Sequence, residues 1–308
     1  MEVYSREFAL FIDGIRSEKD LSRIDFIDGI ISLSQYKRYL KGNASIPNNV
    51  VIELANRLKY NITDLYSIYT RKYNKEDKQL REIYSLIKLY KYEEAHKSLT
   101  KLNIDLLVST FYKSLYEYLV IHVQHILGRV SDVHVLSLYS ELINYPSVMK
   151  NESFNMVELS VLQQIVVVSS NMDNYEPANL LYKILTSGSF SYSSSNDTSI
   201  LAPVYYAVAR VFYRQSQYIE TLQLVDNGIK VAQENENSNA LPHLFLLGAL
   251  VLKHQSELEK SYIYIKKCFM QIFILESKSM FETFKETYAS NFDKPLDELL
   301  GNFSDMMK

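Results

Sequence analysis

The chain has 308 residues, of which 47% are hydrophobic, and this is enough for a packed core in one or two domains. Its 33 basic and 36 acidic residues give a net charge of −3, which excludes a general attraction to DNA or to an anionic membrane. A surface for either partner would have to be local. The single cysteine, Cys268, excludes a disulfide framework and a cysteine-based zinc site.

The sequence pattern predicts an all-α fold. Only 8 Gly and 6 Pro occur, so turns are few and elements are long. Leu, Ile, Lys, Glu and Tyr recur at three- and four-residue spacing, and strict alternation never lasts long enough for a sheet. The first twenty residues lack the features of a signal peptide, and the longest apolar stretch, residues 243–252, is too short to span a membrane. We therefore expect a cytoplasmic protein with no membrane partner.

The first seventy residues break into short amphipathic segments separated by stop signals. Gly29 is typical of a chain leaving a helix, and Ser32 or Ser34 can cap the helix that follows. Gly42 and Pro47 then mark the end of that second helix. Five helices are predicted, at residues 6–16, 21–28, 34–40, 48–59 and 62–71.

Positive charge is concentrated in the same part of the chain. Residues 1–73 hold 11 Lys and Arg against 9 Asp and Glu. Lys37, Arg38 and Lys41 lie in residues 29–52, a stretch without any acidic residue. This pattern fits either an anion-binding face or an ordinary solvated surface.

A helix, a turn and a second helix in this order are typical of a DNA-binding motif whose second helix enters the major groove. Gln35 and Arg38 would then read base edges, and Lys37 and Lys41 would contact phosphates. Arg23, near the start of the preceding helix, would reach the flanking strand. The candidate DNA-binding residues are Arg23, Ser32, Ser34, Gln35, Lys37, Arg38 and Lys41.

Residues 8–66 resemble the Cro/C1-repressor type of helix-turn-helix. The resemblance rests on an apolar residue, two serines that flank one position, a Gly and a Pro, followed by VVIELANRLKYNITDLY; the single residues are Ile31, Ser32, Ser34, Gly42 and Pro47. The chain departs from the family where Ser22 or Arg23 replaces a Gln and where Leu40 replaces an acidic residue. The resemblance implies a DNA-binding domain at residues 1–71.

Four segments of the remaining chain share a pattern in which a polar turn precedes a helix with a small residue near its start. These small residues are Ala95, Ala178, Thr221 and Ser261. A fifth unit fits around Val130, so we expect five helix pairs in residues 79–308, after a linker at residues 72–78. The pattern resembles divergent tetratricopeptide repeats, which implies a right-handed superhelix whose first helices line a groove for an extended peptide.

Helical periodicity indicates which side chains of the first helices face this groove. Arg210 is of most interest because Tyr206 and Tyr213 frame it on one helical face, where the three could hold a carboxylate of a peptide. The alternative is a structural arginine paired with an acid on a neighbouring helix. The candidate peptide-binding residues are Tyr118, His122, His125, Gln163, Val167, Ser170, Tyr206, Arg210, Tyr213, His243, Leu246, Leu250 and Lys253.

Motifs for catalysis or for a cofactor are missing from the sequence. His122 and His125 could share a metal ion, but no third ligand has a diagnostic spacing and no HExxH occurs. No Walker loop, no GxGxxG after a strand and no GxSxG are present. The expectation is a protein that is not an enzyme and holds no metal or cofactor.

The domain order across the whole chain resembles the Rgg/PlcR/PrgX group of peptide-sensing regulators of Gram-positive bacteria. The resemblance implies a quorum-sensing transcription regulator: a homodimer that binds double-stranded promoter DNA and is controlled by a short signalling peptide. Residues 281–300, the DNA-binding domains or both could form the dimer. Two alternatives stay open: a Rap-like repeat protein that controls a phosphatase or kinase, and an interaction scaffold that ignores DNA.

Overall fold

The chain is described from a computed structural model that covers residues 3–4, 6–73, 75–89, 91–104, 107, 110–151, 153–187, 191–192, 200–235 and 238–301. Within these ranges the fold is all-α, as predicted, with two pairs of two-residue strands as the extended structure. The chain divides into two compact units, residues 1–116 and 117–308.

The first unit begins with the five short helices that the sequence predicts. They are α1 (Arg6–Glu18), α2 (Arg23–Ile27), α3 (Leu33–Lys41), α4 (Asn48–Arg57) and α5 (Ile62–Tyr73). Strand β1 (Val3–Tyr4) pairs antiparallel with β2 (Ile46–Pro47). The helices enclose one hydrophobic core, whose fully buried side chains include Phe8, Ile12, Phe26, Tyr36, Ile46, Leu54, Leu58 and Leu65.

The turn between α2 and α3 has the capping groups that the sequence predicts. Gly29 has a φ of +71°, which favours glycine. Ser32 caps α3, because its hydroxyl oxygen accepts a hydrogen bond from the Gln35 N–H at 3.2 Å. Gly42 ends α3 with a φ of +78°, and a Cβ there would lie 3.1 Å from Cδ of Arg6. These local groups fix where α3 begins and ends.

Helical structure covers most of residues 72–78, where the sequence suggests a linker. Helix α5 ends at Tyr73, and α6 (Lys75–Lys88) begins two residues later. Residue 74 lies outside the described part of the chain. Helix α6 is followed by α7 (Tyr92–Leu99), and these two form the first of the predicted helix pairs.

The other four predicted helix pairs follow. They are α8 (Thr110–Ile126) with α9 (Asp132–Ile143), α10 (Met156–Asn171) with α11 (Glu176–Thr186), α12 (Leu201–Arg214) with α13 (Tyr218–Glu234), and α14 (Leu241–His254) with α15 (Leu258–Ile274). Helices α16 (Lys278–Asn291) and α17 (Leu296–Leu300) end the described chain. Strands β3 (Ser153–Phe154) and β4 (Ser191–Tyr192) pair in parallel.

The small residue near the start of four of the second helices, α7, α11, α13 and α15, is buried, as the repeat pattern predicts. Ala95, Ala178, Thr221 and Ser261 are all at most 1% exposed. The Ser261 hydroxyl donates a hydrogen bond to the carbonyl oxygen of Ala249 in α14 at 2.7 Å. A larger side chain at these positions would separate the two helices of a pair, so small residues are needed there.

Gly248 offers a test of how closely α14 packs. A Cβ at this position would lie 2.8 Å from the Tyr264 ring and 3.1 Å from Cγ1 of Val225. We expect Gly248→Ala to lower the free energy of unfolding by about 1 kcal/mol, because overpacking outweighs the roughly 1 kcal/mol by which alanine favours a helix. Urea unfolding of the full chain measures the effect.

Gly14→Ala in α1 is the matched control, because a Cβ there would have no neighbour within 4 Å. This variant should gain up to about 1 kcal/mol from helix propensity alone. A Gly248→Ala variant as stable as Gly14→Ala would show that α14 and α15 are packed more loosely than the structure indicates.

Candidate functional sites

Helix α3 presents one exposed polar face. Ser34, Lys37, Arg38 and Lys41 are all exposed and follow the i, i+3, i+4, i+7 spacing of a single helical stripe. Tyr36 and Tyr39 are buried on the opposite side. We call these four exposed residues the cationic face of α3.

The positive charges of this face are not neutralised within the described chain. No ion pair or side-chain hydrogen bond from a described residue engages Lys37, Arg38 or Lys41. Helix α3 itself contains no acidic residue. The three cations are therefore available to bind an external anion.

A buried carboxylate fixes the orientation of α3. Asp13 of α1 is 9% exposed and accepts hydrogen bonds from Arg16 Nε at 2.7 Å, Arg23 NH2 at 2.6 Å and the Tyr36 hydroxyl at 3.1 Å. Burial raises the pKa of the Asp13 carboxyl, but the hydrogen bonds and charges of Arg23 and Arg16 outweigh it and hold the pKa at about 2. One ionised group thus ties α1, α2 and α3 together.

Three candidate DNA-binding residues have structural contacts. The Arg23 guanidinium binds Asp13 through both Nε and NH2. Ser32 caps α3, and Gln35 is half-buried at the start of the same helix. We therefore place the centre of the candidate nucleic-acid surface on the cationic face of α3, and the contact of Arg23 with DNA stays a prediction.

The two departures from the repressor pattern also have structural roles. Ser22 caps α2 by accepting a hydrogen bond from the Asp25 N–H, and Leu40 packs against the hydrophobic core. The sequence reasoning missed Arg57, whose NH1 donates to the carbonyl oxygens of Asp25 and Asp28 at 2.9 and 2.7 Å. Because Arg57 lies in α4, far along the chain from these carbonyl groups, no local sequence pattern indicated the two hydrogen bonds.

In the second unit, the first helices α10, α12 and α14 each leave one narrow stripe in contact with solvent. On α12 the residues that are not buried are Pro203, Tyr206, Arg210, Tyr213 and Arg214. We define the first-helix surface by the predicted residues that remain at least partly exposed on these stripes, which are Gln163, Val167, Tyr206, Arg210, Tyr213, His243, Leu250 and Lys253.

An aromatic row links three helices across this surface. The ring centroids of Tyr206 on α12 and His243 on α14 are 5.2 Å apart, and those of His243 and Phe284 on α16 are 5.0 Å apart. Phe284 was missed by the sequence reasoning, although it lies one repeat beyond His243. The rings meet at 48° and 69°, and the row gives the surface an aromatic floor.

Arg210 is exposed beside this aromatic row. Arg210 lies one helical turn after Tyr206 on α12, and the Tyr206 ring contacts His243. Burial, followed by the positive charge of Arg210, lowers the pKa of His243. No acidic group of the described chain forms an ion pair with Arg210. The alternative of a structural arginine paired with an acid on a neighbouring helix therefore has no support among these residues.

Two other predicted residues at the end of the surface are engaged within the fold. The Lys253 ammonium donates a hydrogen bond to the carbonyl oxygen of Asn291 and lies 5.3 Å from the centroid of the Phe292 ring. The Tyr213 hydroxyl and Nε2 of His254 are 3.1 Å apart. Arg210 is thus the cation of the first-helix surface that no described residue engages by a hydrogen bond or an ion pair.

Five predicted peptide-binding residues serve packing or internal hydrogen bonds. Tyr118 and His122 are buried and stacked on each other, and burial lowers the pKa of His122 to about 4. His125 Nε2 lies 2.8 Å from Oδ1 of Asp132. Ser170 and Leu246 are at most 9% exposed. Because a helix periodicity does not show how deep a stripe is buried, the sequence could not separate these residues from exposed ones.

The described part of the chain shows no sign of a metal site or of a membrane-spanning segment. No group of three or more His, Cys, Asp or Glu there could hold a metal ion. No described helix is long and apolar enough to cross a membrane. Cys268 is fully buried, as expected for a core residue, and burial raises the pKa of its thiol well above the ordinary value.

The fold is shared with several solved proteins. Bacillus thuringiensis PlcR in complex with the peptide PapR7 and DNA has a TM-score of 0.69 and 18% identity, over 94% of this chain and 100% of PlcR. ComR from S. thermophilus in complex with DNA and its signalling peptide ComS has a TM-score of 0.62 and 17% identity, over 92% of this chain and 99% of ComR. The Streptococcus dysgalactiae SHP pheromone receptor Rgg2 has a TM-score of 0.61 and 15% identity, over 92% of this chain and 100% of Rgg2.

No protein-family model matches the chain, and no curated protein matches it. At these identities the structural similarity establishes the fold and not the activity. It confirms the fold that the resemblance to the Rgg/PlcR/PrgX group implies, over nearly the full length of the chain.

Proposed function

We propose that the chain is a transcription regulator that acts in the cytoplasm as a homodimer and is controlled by a short signalling peptide. In this proposal residues 1–71 bind promoter DNA, and the repeat domain, residues 79–308, binds the peptide and supports dimerisation. The observation that carries the proposal is the cationic face of α3, because its unpaired charges lie on a fold shared with proteins solved in complex with DNA and a peptide.

The DNA interface is proposed from the chemistry of α3. A helix with Ser34, Lys37, Arg38 and Lys41 on its exposed side presents a hydroxyl, two ammonium groups and a guanidinium to one ligand. Such groups bind phosphates, and an arginine can also read a guanine through two hydrogen bonds. Asp13 supports this role by fixing the face relative to α1 and α2.

The peptide interface is proposed on the first-helix surface. Its aromatic row offers apolar contact area, and Gln163 and Arg210 offer polar groups that can bind a peptide backbone or side chain. The peptide can change DNA affinity only if it binds one arrangement of the dimer more tightly than another.

Dimerisation is supported by apolar groups left exposed near the carboxyl end. Met270 and Ile274 on α15 are 46% and 63% exposed. Met270 lines a pocket together with Phe273, Phe281 and Leu299. A homodimer would present two copies of α3, as required for two half-sites on DNA.

The test is a titration of the full chain against a fluorescent duplex from its own promoter region, across a salt series. It is run with and without synthetic copies of small peptides encoded beside the gene. We expect specific binding that weakens with salt and that one peptide shifts. Peptide binding without any binding to DNA would contradict the proposal and would favour action on a protein partner.

A further inference from the structure

Charged residues are distributed unevenly between the two helices of the last two pairs. The first helices α12 and α14 contain no Asp or Glu, although they include Arg210, Arg214 and Lys253. The second helices α11, α13 and α15 all contain acidic residues. In a chain with a net charge of −3, the part of the first-helix surface that lies on α12 and α14 therefore has no acidic residue of its own.

The helices on either side of α12 and α14 keep this surface free of carboxylates. The carboxyl of Glu158 in α10 accepts a hydrogen bond from the Asn155 N–H at 2.8 Å and forms part of the helix cap. On α16, Glu282 and Glu286 are exposed two residues before and after Phe284. Two residues correspond to about 200° around a helix, so these two acids lie away from the aromatic row.

Arg210 combines three properties that suit it to recognise an anion. It is exposed, it has no ion-pair partner among the described residues, and it lies one helical turn after Tyr206, the first member of the aromatic row. A guanidinium can bind a carboxylate through two parallel hydrogen bonds, and the nearby rings reduce the competing solvent. A lysine-bearing peptide would instead place a second positive charge beside Arg210.

From these observations we infer that the first-helix surface selects peptides that carry a carboxylate, which Arg210 binds while neighbouring apolar side chains pack on the aromatic row. The carboxylate comes from an Asp or Glu side chain or from the free carboxyl terminus of the peptide. This inference rests on the proposed function, since it specifies the ligand of the same site.

Six pools of synthetic heptapeptides test the inference. All peptides are acetylated at the amino terminus and randomised among Leu, Val, Phe, Tyr, Gly and Ser, with one fixed position occupied by Glu, Gln or Lys. Each pool is made as the free acid and as the carboxyl-terminal amide. The pools compete for the immobilised full chain, and mass spectrometry identifies the retained peptides.

We expect the Glu amide pool or the Gln free-acid pool to be enriched about tenfold or more over the Gln amide pool, since a charge-assisted hydrogen bond is lost in the latter. The first result identifies a side-chain carboxylate and the second a terminal one. Arg210→Gln should abolish the enrichment. Lys183→Gln is the matched control, because it removes an exposed charge from the second helix α11, and it should retain the enrichment.

Equal retention of the Gln amide and carboxylate pools, or enrichment that survives Arg210→Gln, would overturn the inference. If uncharged peptides bind and change DNA affinity, the proposed function stands and carboxylate selection is wrong. If carboxylate peptides bind through Arg210 and leave DNA affinity unchanged, carboxylate selection stands and peptide control of DNA binding is wrong. Retention of no peptide from any pool contradicts both.

Discussion

The double substitution Lys37→Ala with Arg38→Ala should reduce the affinity for promoter DNA by about 10- to 100-fold near 0.1 M salt. Both side chains are exposed on the cationic face of α3 and have no partner in the described chain, so their removal costs the fold little. Each phosphate contact contributes about 0.9 to the slope of log affinity against log salt, so the slope should fall by up to about 2. Fluorescence anisotropy across a salt series measures both quantities.

Lys183→Ala with Lys230→Ala is the matched control for this experiment. It removes the same charge from exposed positions on α11 and α13. Oligomeric state should be the same for both double variants and for the unmodified chain. If both double variants lose DNA affinity equally, only net charge matters and the assignment of α3 to the DNA interface is wrong.

Asp13→Ala should strongly lower the stability of the first unit. Its carboxylate is the shared acceptor for Arg16, Arg23 and Tyr36, and the change would leave these donors without their partner. Loss of one member of a buried ion-pair network costs about 3 kcal/mol. Hydrogen exchange of the full chain should therefore show amide exchange in α1 to α3 about 100-fold faster.

Glu18→Ala is the matched control, because Glu18 is an exposed carboxylate on the same helix α1. Its exchange pattern should equal that of the unmodified chain. If amide exchange in α1 to α3 is as slow in Asp13→Ala as in the unmodified chain, hydrophobic packing alone holds α3 in place.

The lowered pKa of Asp13 also predicts how stability depends on pH. The folded pKa of about 2 lies below the ordinary value of 3.8, so the ionised carboxylate stabilises the unit fully above pH 4. This contribution is lost as the pH falls from about 4 towards 2. The difference in unfolding free energy between the unmodified chain and Asp13→Asn, measured in urea, should shrink over the same range. A constant difference would mean that the charge of Asp13 contributes nothing.

Much of the local structure could be predicted because its causes lie within a few residues of one another. Ser32 caps the N–H of Gln35, Gly42 ends the same helix, and the small residues Ala178 and Ser261 recur near the start of a second helix. Such interactions span three or four residues, so they are visible in the order of amino acids alone. The all-α class, the five short helices and the five helix pairs follow from them.

The sites were predicted less completely, because burial and pairing depend on residues far apart in the chain. Periodicity placed both His122 and Arg210 on stripes that face the groove, yet packing against Tyr139 buries the first while the second stays exposed. In the same way, the sequence showed that Arg23 is basic, but not that Asp13, ten residues earlier, binds it.

The order of amino acids by itself therefore determined the helices, their caps and the stripe that each helix presents. Only the tertiary structure decided which stripes reach solvent and which charges remain unpaired, as it did for Lys37 and Arg210. The physical reason is the range of the forces involved. Capping and helical periodicity act along one segment, whereas desolvation and ion pairing act between segments that meet only after folding.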